Sequence, residues 1–167
     1  MDRFLRRRKA EKNLGKKINK KERRKAIRSG ISATIIKDLV KTRGHIIPEN
    51  FPFILDNKFE GLSKTQEIVN ALKAIGLEKE LERVEKKSIR AGKGKLRGRK
   101  YNVKKGPLIV VSKDGTIMKA ANNIPGVDII QVKYLNMEVL APGEVPGRLT
   151  LWTTGSIKLL EEKKLFM

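Results

Sequence analysis

The side chains that could do chemistry are few and scattered. The chain has one histidine, His45, and no cysteine. Without thiols there is neither a disulfide nor a thiolate metal site, which is compatible with a reducing compartment. His45 follows Gly44 at an expected helix end. A lone imidazole there is most often a cap or surface group, and no partner for a triad or metal site stands near it in sequence. Asp56, Asp114 and Asp128 fall at expected strand ends. Gathered carboxylates there could hold Mg²⁺, although turn and cap roles are commoner. Gly61-Leu62-Ser63-Lys64-Thr65 departs from the G-x-x-x-x-G-K-[ST] phosphate loop and reads as a helix start. Gly92-x-Gly94-x-x-x-Gly98 misses the dinucleotide spacing and precedes a strand. Thr154-Gly155-Ser156 is not the G-x-S-x-G elbow. We therefore assign no catalytic residue, metal or cofactor, and expect no enzyme.

The chemistry that remains is charge. The formal net charge is +21 over 167 residues. Residues 1–28 carry fourteen Lys or Arg against Asp2, Glu11 and Glu22. Residues 86–105 carry ten Lys or Arg, three glycines and no acid. These segments contribute +11 and +10, which account for the whole excess. The rest is a neutral domain with fifteen bases and fifteen acids. Packed like charges repel unless a polyanion neutralises them, and each neutralised phosphate releases counterions. The candidates for anion contact are Arg6, Arg7, Arg8, Lys16, Lys17, Lys20, Lys21, Arg23, Arg24 and Arg28 in the first segment. In the second they are Arg90, Lys93, Lys95, Arg97, Arg99, Lys100, Lys104 and Lys105. Gly92, Gly94 and Gly98 would let the backbone approach a phosphate. Aromatics are only 5% of the chain, which favours phosphate and shape recognition over base stacking. A solvated charge run and a polybasic membrane-surface segment are the bland alternatives. No apolar run approaches the ~20 residues of a membrane span, and no h-region follows the basic N-terminus.

The elements that must carry these segments follow from periodicity. Residues 1–18 are a basic arm. A helix is expected from Asn19, with Glu22 completing a capping box. Ala26, Ile27, Ser29, Gly30, Ala33 and Thr34 form its small and apolar face, which Ile31, Ile35, Ile36, Leu39 and Val40 extend towards Gly44. Lysines and arginines in its first turns oppose the helix dipole, so nearby phosphates would relieve the conflict. Phe53–Leu55 fits a short buried strand. Ser63 with Gln66 starts a helix striped by Ile68, Val69, Leu72 and Ile75 and ended by Gly76. Leu77–Val84 fits either a strand or a helix. Residues 86–106 form a basic loop that RNA would order. Pro107–Val111, Val127–Val132 and Leu149–Thr153 are expected strands, with a brief helix near Met118–Ala121 and a closing one over Ser156–Glu162. Short apolar strands alternating with helices indicate an α/β fold with a mostly parallel sheet. The globular domain is drawn over 19–162, with a tail at 163–167.

Several motifs together resemble a known family. They are Asn19-Lys20-Lys21-Glu22-Arg23-Arg24 with Ala26-Ile27-Arg28-Ser29, then Arg90-Ala91-Gly92-Lys93-Gly94-Lys95 with Arg97-Gly98-Arg99-Lys100-Tyr101, and Lys105-Gly106-Pro107-Leu108. Asn123-Ile124-Pro125-Gly126-Val127-Asp128, Leu140-Ala141-Pro142-Gly143 and Pro146-Gly147-Arg148-Leu149-Thr150 follow in order. From about Ala10 to Glu162 the chain resembles large-subunit ribosomal protein four, in its archaeal and eukaryotic branch. The resemblance implies a three-layer α/β/α domain and a structural role in the large subunit. It also implies binding of large-subunit rRNA and support of subunit assembly. The implied partners are that rRNA and neighbouring large-subunit proteins, in a cytoplasmic, ribosome-bound setting. In the family an upstream segment carries most of a loop directed at the peptide exit tunnel. Met1 to Lys9 do not resemble it, so the chain reads as the C-terminal two-thirds. A separate polypeptide supplying the N-terminal third is an expected partner. A free-standing regulatory RNA-binding protein is the alternative function, and an α/β enzyme acting on nucleic acid a weaker one.

Overall fold

The computed structural model describes residues 15–166. In chain order the elements are α1 (Lys20–Ala33), α2 (Lys37–Thr42), β1 (Ile54–Leu55), α3 (Thr65–Ala74), α4 (Glu78–Glu85), β2 (Ser88–Ile89) and β3 (Tyr101–Asn102). They continue with β4 (Leu108–Val111), α5 (Thr116–Asn122), β5 (Asp128–Gln131), α6 (Met137–Leu140), β6 (Thr150–Thr153) and α7 (Thr154–Glu162). Strands β1, β6, β4 and β5 form one sheet in that order, and all its pairings are parallel. Strands β2 and β3 pair separately as an antiparallel hairpin.

Strand side chains alternate between faces, and here both faces are covered. Ile109, Val111, Ile129 and Leu151 point into a cluster with Ile68 and Leu72 of α3 and Ile117 of α5. Leu108, Val110 and Trp152 point into a second cluster with Ile27 of α1 and Leu140 of α6. Helix α7 adds Ile157, Leu159 and Leu160 to that second core, and Leu165 and Phe166 pack there too. The result is the expected α/β arrangement, a parallel sheet between helical layers. The central strand β4 is apolar at every position because both of its faces are buried. The expected strand residues Ile109, Val110, Val111, Ile129, Leu149, Leu151 and Trp152 are buried, and Ile130 is half-buried.

Several local expectations need correction. The first helix starts after Asn19, but no side-chain cap forms there, so the expected capping box is absent. The helical stretch towards Gly44 is broken over residues 34–36. The Thr34 hydroxyl donates to the Ile31 carbonyl at 2.6 Å, and the amides of Thr34 and Ile35 turn back to Ile31 and Ser32. Such local bonding competes with the helical ladder. In the expected buried strand Leu55 is buried, but Ile54 is 60% exposed because β1 is a sheet edge. Leu77–Val84, open between strand and helix, begins α4, with Leu77 and Val84 on its buried side. The segment expected as a loop contains the β2–β3 hairpin.

Candidate nucleic-acid interface

Two basic surfaces stand on this scaffold. Helix α1 buries Ile27, Gly30 and Ala33 and leaves Lys20, Lys21, Arg23, Arg24, Lys25 and Arg28 exposed. Lys16 and Lys17 lie exposed just ahead of it. Arg6, Arg7 and Arg8 fall outside the described residues.

The hairpin is the second surface. Ser88 pairs with Asn102 and Ile89 with Tyr101. The Arg90 amide donates to the Lys100 carbonyl at 2.8 Å and extends the ladder. A short 3₁₀ turn over Lys93–Arg97 closes the tip. Gly92 and Gly98 flank this turn at φ values of 77° and 75°. Those backbone angles favour glycine, so both have a local reason to be there. Gly94 has none of that kind, and a Cβ on it would lie 3.3 Å from the Arg90 side chain. Arg90, Lys93, Lys95, Arg97, Arg99, Lys100, Lys104 and Lys105 are all exposed. So are Ile89, Leu96, Tyr101 and Val103, with Leu96 at 82%. Sequence reasoning passed over these apolar residues; the signal was their interleaving with charge. The Lys100 ammonium lies 5.5 Å from the Tyr101 ring centre, within cation–π range. A two-stranded ribbon without a hydrophobic face of its own is marginal in water.

Below the hairpin lie buried ionic clusters. Arg148 is fully buried at the entry to β6. It donates to the Gly106 carbonyl at 3.0 Å, the Val139 carbonyl at 2.9 Å and Asp128 Oδ2 at 2.6 Å. Lys105 Nζ reaches the same Asp128 oxygen at 3.1 Å. Burial opposes ionisation of Asp128, but the bonds and charges of Arg148 and Lys105 outweigh it and hold the carboxyl below its usual range. Lys105 is thus partly committed to the protein.

His45, expected as a cap or surface group, is instead buried, with its Nδ1 2.6 Å from Glu80 Oε1. Glu80 is fully buried and accepts from the Ile46 amide at 3.0 Å and from Arg83 Nε at 2.7 Å. Burial again opposes ionisation, and the bonds from Arg83, His45 and Ile46 overcome it, so the Glu80 carboxyl sits below its ordinary range.

Parallel α/β sheets bind ligands at the carboxyl ends of strands where the strand order reverses. Here that point lies between β4 and β6. Glu60 fills it: the carboxylate accepts from the Ser112 amide at 3.0 Å, the Ser112 hydroxyl at 2.6 Å and the Thr153 hydroxyl. The Asn57 amide oxygen takes the Gly155 N–H at 2.6 Å. Thr153 also caps α7 through the Ser156 amide, which explains the Thr154-Gly155-Ser156 sequence as a helix start. The strand-end acids do not converge: Asp56 caps the turn that follows it, and Asp128 lies at the start of β5. No group of three potential metal ligands occurs among the described residues.

Comparison with known proteins decides the family. The model described as the Ribosomal protein L4/L1 family matches residues 7–163. The chain belongs to that family. It is 55% identical over 159 residues to the large ribosomal subunit protein uL4 of Nanoarchaeum equitans, covering 95% of this chain and 59% of that protein. Identity to uL4 of Methanococcoides burtonii is 51% over 154 residues, covering 92% of this chain and 61% of that protein. For uL4 of Archaeoglobus fulgidus it is 46% over 155 residues, covering 92% and 62%. The chain therefore spans about three-fifths of the length of the curated relatives it matches. These matches lend no support to a separate N-terminal polypeptide. The L4/L1 match takes in both α1 and the hairpin.

Proposed function

We propose that this chain is a non-catalytic, structural constituent of the large ribosomal subunit. It binds large-subunit rRNA through the exposed face of α1 and through the hairpin, and so supports subunit assembly. Neighbouring large-subunit proteins are its further partners, on the ribosome in the cytoplasm. The observation that carries the reading is the hairpin, where eight candidate cations and four apolar side chains are exposed together without an acid. Such a surface gains its partner's phosphates for the charges and, for Ile89, Leu96, Tyr101 and Val103, sugar and base faces to cover them. Membership of the L4/L1 family and the uL4 relatives support the ribosomal setting.

Binding to large-subunit rRNA fragments, measured as affinity against salt, tests it. Each phosphate contact contributes roughly 0.9 to the slope of log K against log salt on a duplex. Replacing Arg97 and Arg99 together with Ala should flatten the slope by about one to two units. An unchanged slope would remove the hairpin from the interface. Retention on large subunits through a moderate-salt wash distinguishes a ribosomal constituent from a free-standing regulator.

A further inference from the structure

Two guanidinium groups hold the root of the hairpin, one from α4 and one from the entry to β6. Its first leg continues directly from α4, whose last turn carries Arg83. Its second leg returns through Lys104, Lys105 and Gly106 to β4. Arg83 Nη2 donates to the Lys105 carbonyl at 2.9 Å. Arg148 Nε donates to the next carbonyl, that of Gly106, at 3.0 Å. Two successive carbonyls of the leg are thus held, one from α4 and one from the entry to β6.

Each grip is itself anchored. The Arg83 fork also holds Glu80 through Nε at 2.7 Å and Nη2 at 2.6 Å, and Glu80 is fixed by His45 and the Ile46 amide. Arg148 is fixed by Asp128 and by the Val139 carbonyl of α6. The leg has no room to slide. The Gly106 amide donates to the Gly126 carbonyl at 2.8 Å. A Cβ on Gly126, which sits at φ 69°, would lie 2.0 Å from Val84 Cγ1 and 2.7 Å from the Lys104 carbonyl. These bonds do not serve a hydrophobic core within the hairpin, which has none. They fix the direction in which it leaves the domain.

We propose that Arg83 and Arg148 are positioning residues, which aim the basic hairpin at RNA by clamping the carbonyls of Lys105 and Gly106 without touching phosphate. This rests on the RNA-binding reading above. Pre-organisation spares the bound state the cost of ordering the ribbon. A planar fork suits this arrangement, because its spread, fixed donors meet both carboxylate oxygens of Glu80 while Nη2 also reaches the carbonyl, a geometry that a compact tetrahedral ammonium does not match.

The test compares Arg83→Lys with Arg97→Lys in the full chain, since both keep the charge. Amide exchange is measured first, without RNA. Arg83→Lys should lower protection of the Gly106 amide by about tenfold or more while the β4 amides keep theirs. Affinity for large-subunit rRNA, corrected for folded fraction, should then fall by about tenfold with an unchanged salt slope. Arg97→Lys should leave Gly106 protection unchanged, because Arg97 holds neither carbonyl of the leg. Arg148→Lys should reproduce the Arg83→Lys behaviour from the β6 end; if it fails to fold, Arg83, which is not fully buried, still carries the test. Unchanged Gly106 protection in Arg83→Lys overturns the clamp. So does an affinity loss that vanishes on correction for folded fraction, or retained affinity in a loosened hairpin. Failure of the wild-type chain to bind rRNA overturns the function instead, and the exchange result still decides whether the arginines hold the hairpin.

Discussion

Replacing Glu60 by Gln isolates what the filled strand-end crevice contributes. The change keeps shape and removes charge. The carboxylate accepts from the Ser112 amide and from the Ser112 and Thr153 hydroxyls at the ends of β4 and β6, and the Lys113 amide adds to them. A hydrogen bond to a charged acceptor is worth about 1.5–3 kcal/mol against about 1 for a neutral one, so losing the charge weakens each of three bonds by about 0.5–1 kcal/mol. The new amide N–H groups can be met by rotated hydroxyls of Ser112 and Thr153, but not by the Ser112 N–H. The expected cost is about 1.5–3 kcal/mol at neutral pH.

The pH dependence separates charge from shape. Burial disfavours the Glu60 anion, but its bonds to Ser112, Thr153 and the Lys113 amide prevail and hold the carboxyl below its ordinary range. A carboxyl with a depressed native value stabilises the fold above its unfolded value of about 4.3 and loses that contribution as pH falls through the native one. Glu60→Gln cannot titrate there. Urea unfolding of both proteins should therefore show a gap that is widest near neutrality and closes under acid. Glu80 and Asp128 titrate in both proteins and cancel from the difference. A gap below about 0.5 kcal/mol at neutral pH, the size of an ordinary surface substitution, would refute the argument. So would a gap that stays constant down to the lowest pH at which the wild type is native.

Further outcomes follow from the same geometry. Ile109→Ala, at a fully buried position in the central strand, should cost on the order of 2–5 kcal/mol in urea unfolding. Glu80→Gln should destabilise the chain at neutral pH, and its deficit should shrink as pH falls below about 4.3, because the native carboxyl is the depressed one. Gly126→Ala should destabilise by several-fold more than Gly61→Ala in the same assay, since only the former meets Val84 and a positive φ. Gly98→Val should weaken rRNA binding by disturbing the αL residue that ends the hairpin tip, and unchanged binding would show that the tip geometry is dispensable.

The contrast between what was legible and what was not follows from the range of the interactions. Strand β4 was legible because a strand buried on both faces is apolar at every position, as Leu108–Val111 is, and β5 and β6 because each has an apolar pair, Ile129-Ile130 and Leu151-Trp152, at its centre. The break after Ala33 was not, because it depends on one hydroxyl choosing a carbonyl three residues back over solvent. The two basic surfaces were visible as charge, since net charge survives any fold. Which cations already meet an acid was not, and Lys105 shows why: Asp128 stands 23 residues away in sequence yet 3.1 Å away in space. Two signals were nonetheless present in the chain. Glu80 stands three residues after Leu77 and four before Val84, on the face that those two bury. Arg148 directly precedes the buried Leu149, at the entry to β6. A charge placed inside an apolar pattern must either be solvated or be met by hydrogen bonds from elsewhere. For Glu80 and Arg148 the fold supplies the second solution, and both networks end on the leg that carries the hairpin. The same amino-acid types thus serve different purposes in this chain: cations crowd on the exposed faces of α1 and the hairpin, while the buried Arg148 is met by Asp128 and holds the backbone from which the hairpin leaves.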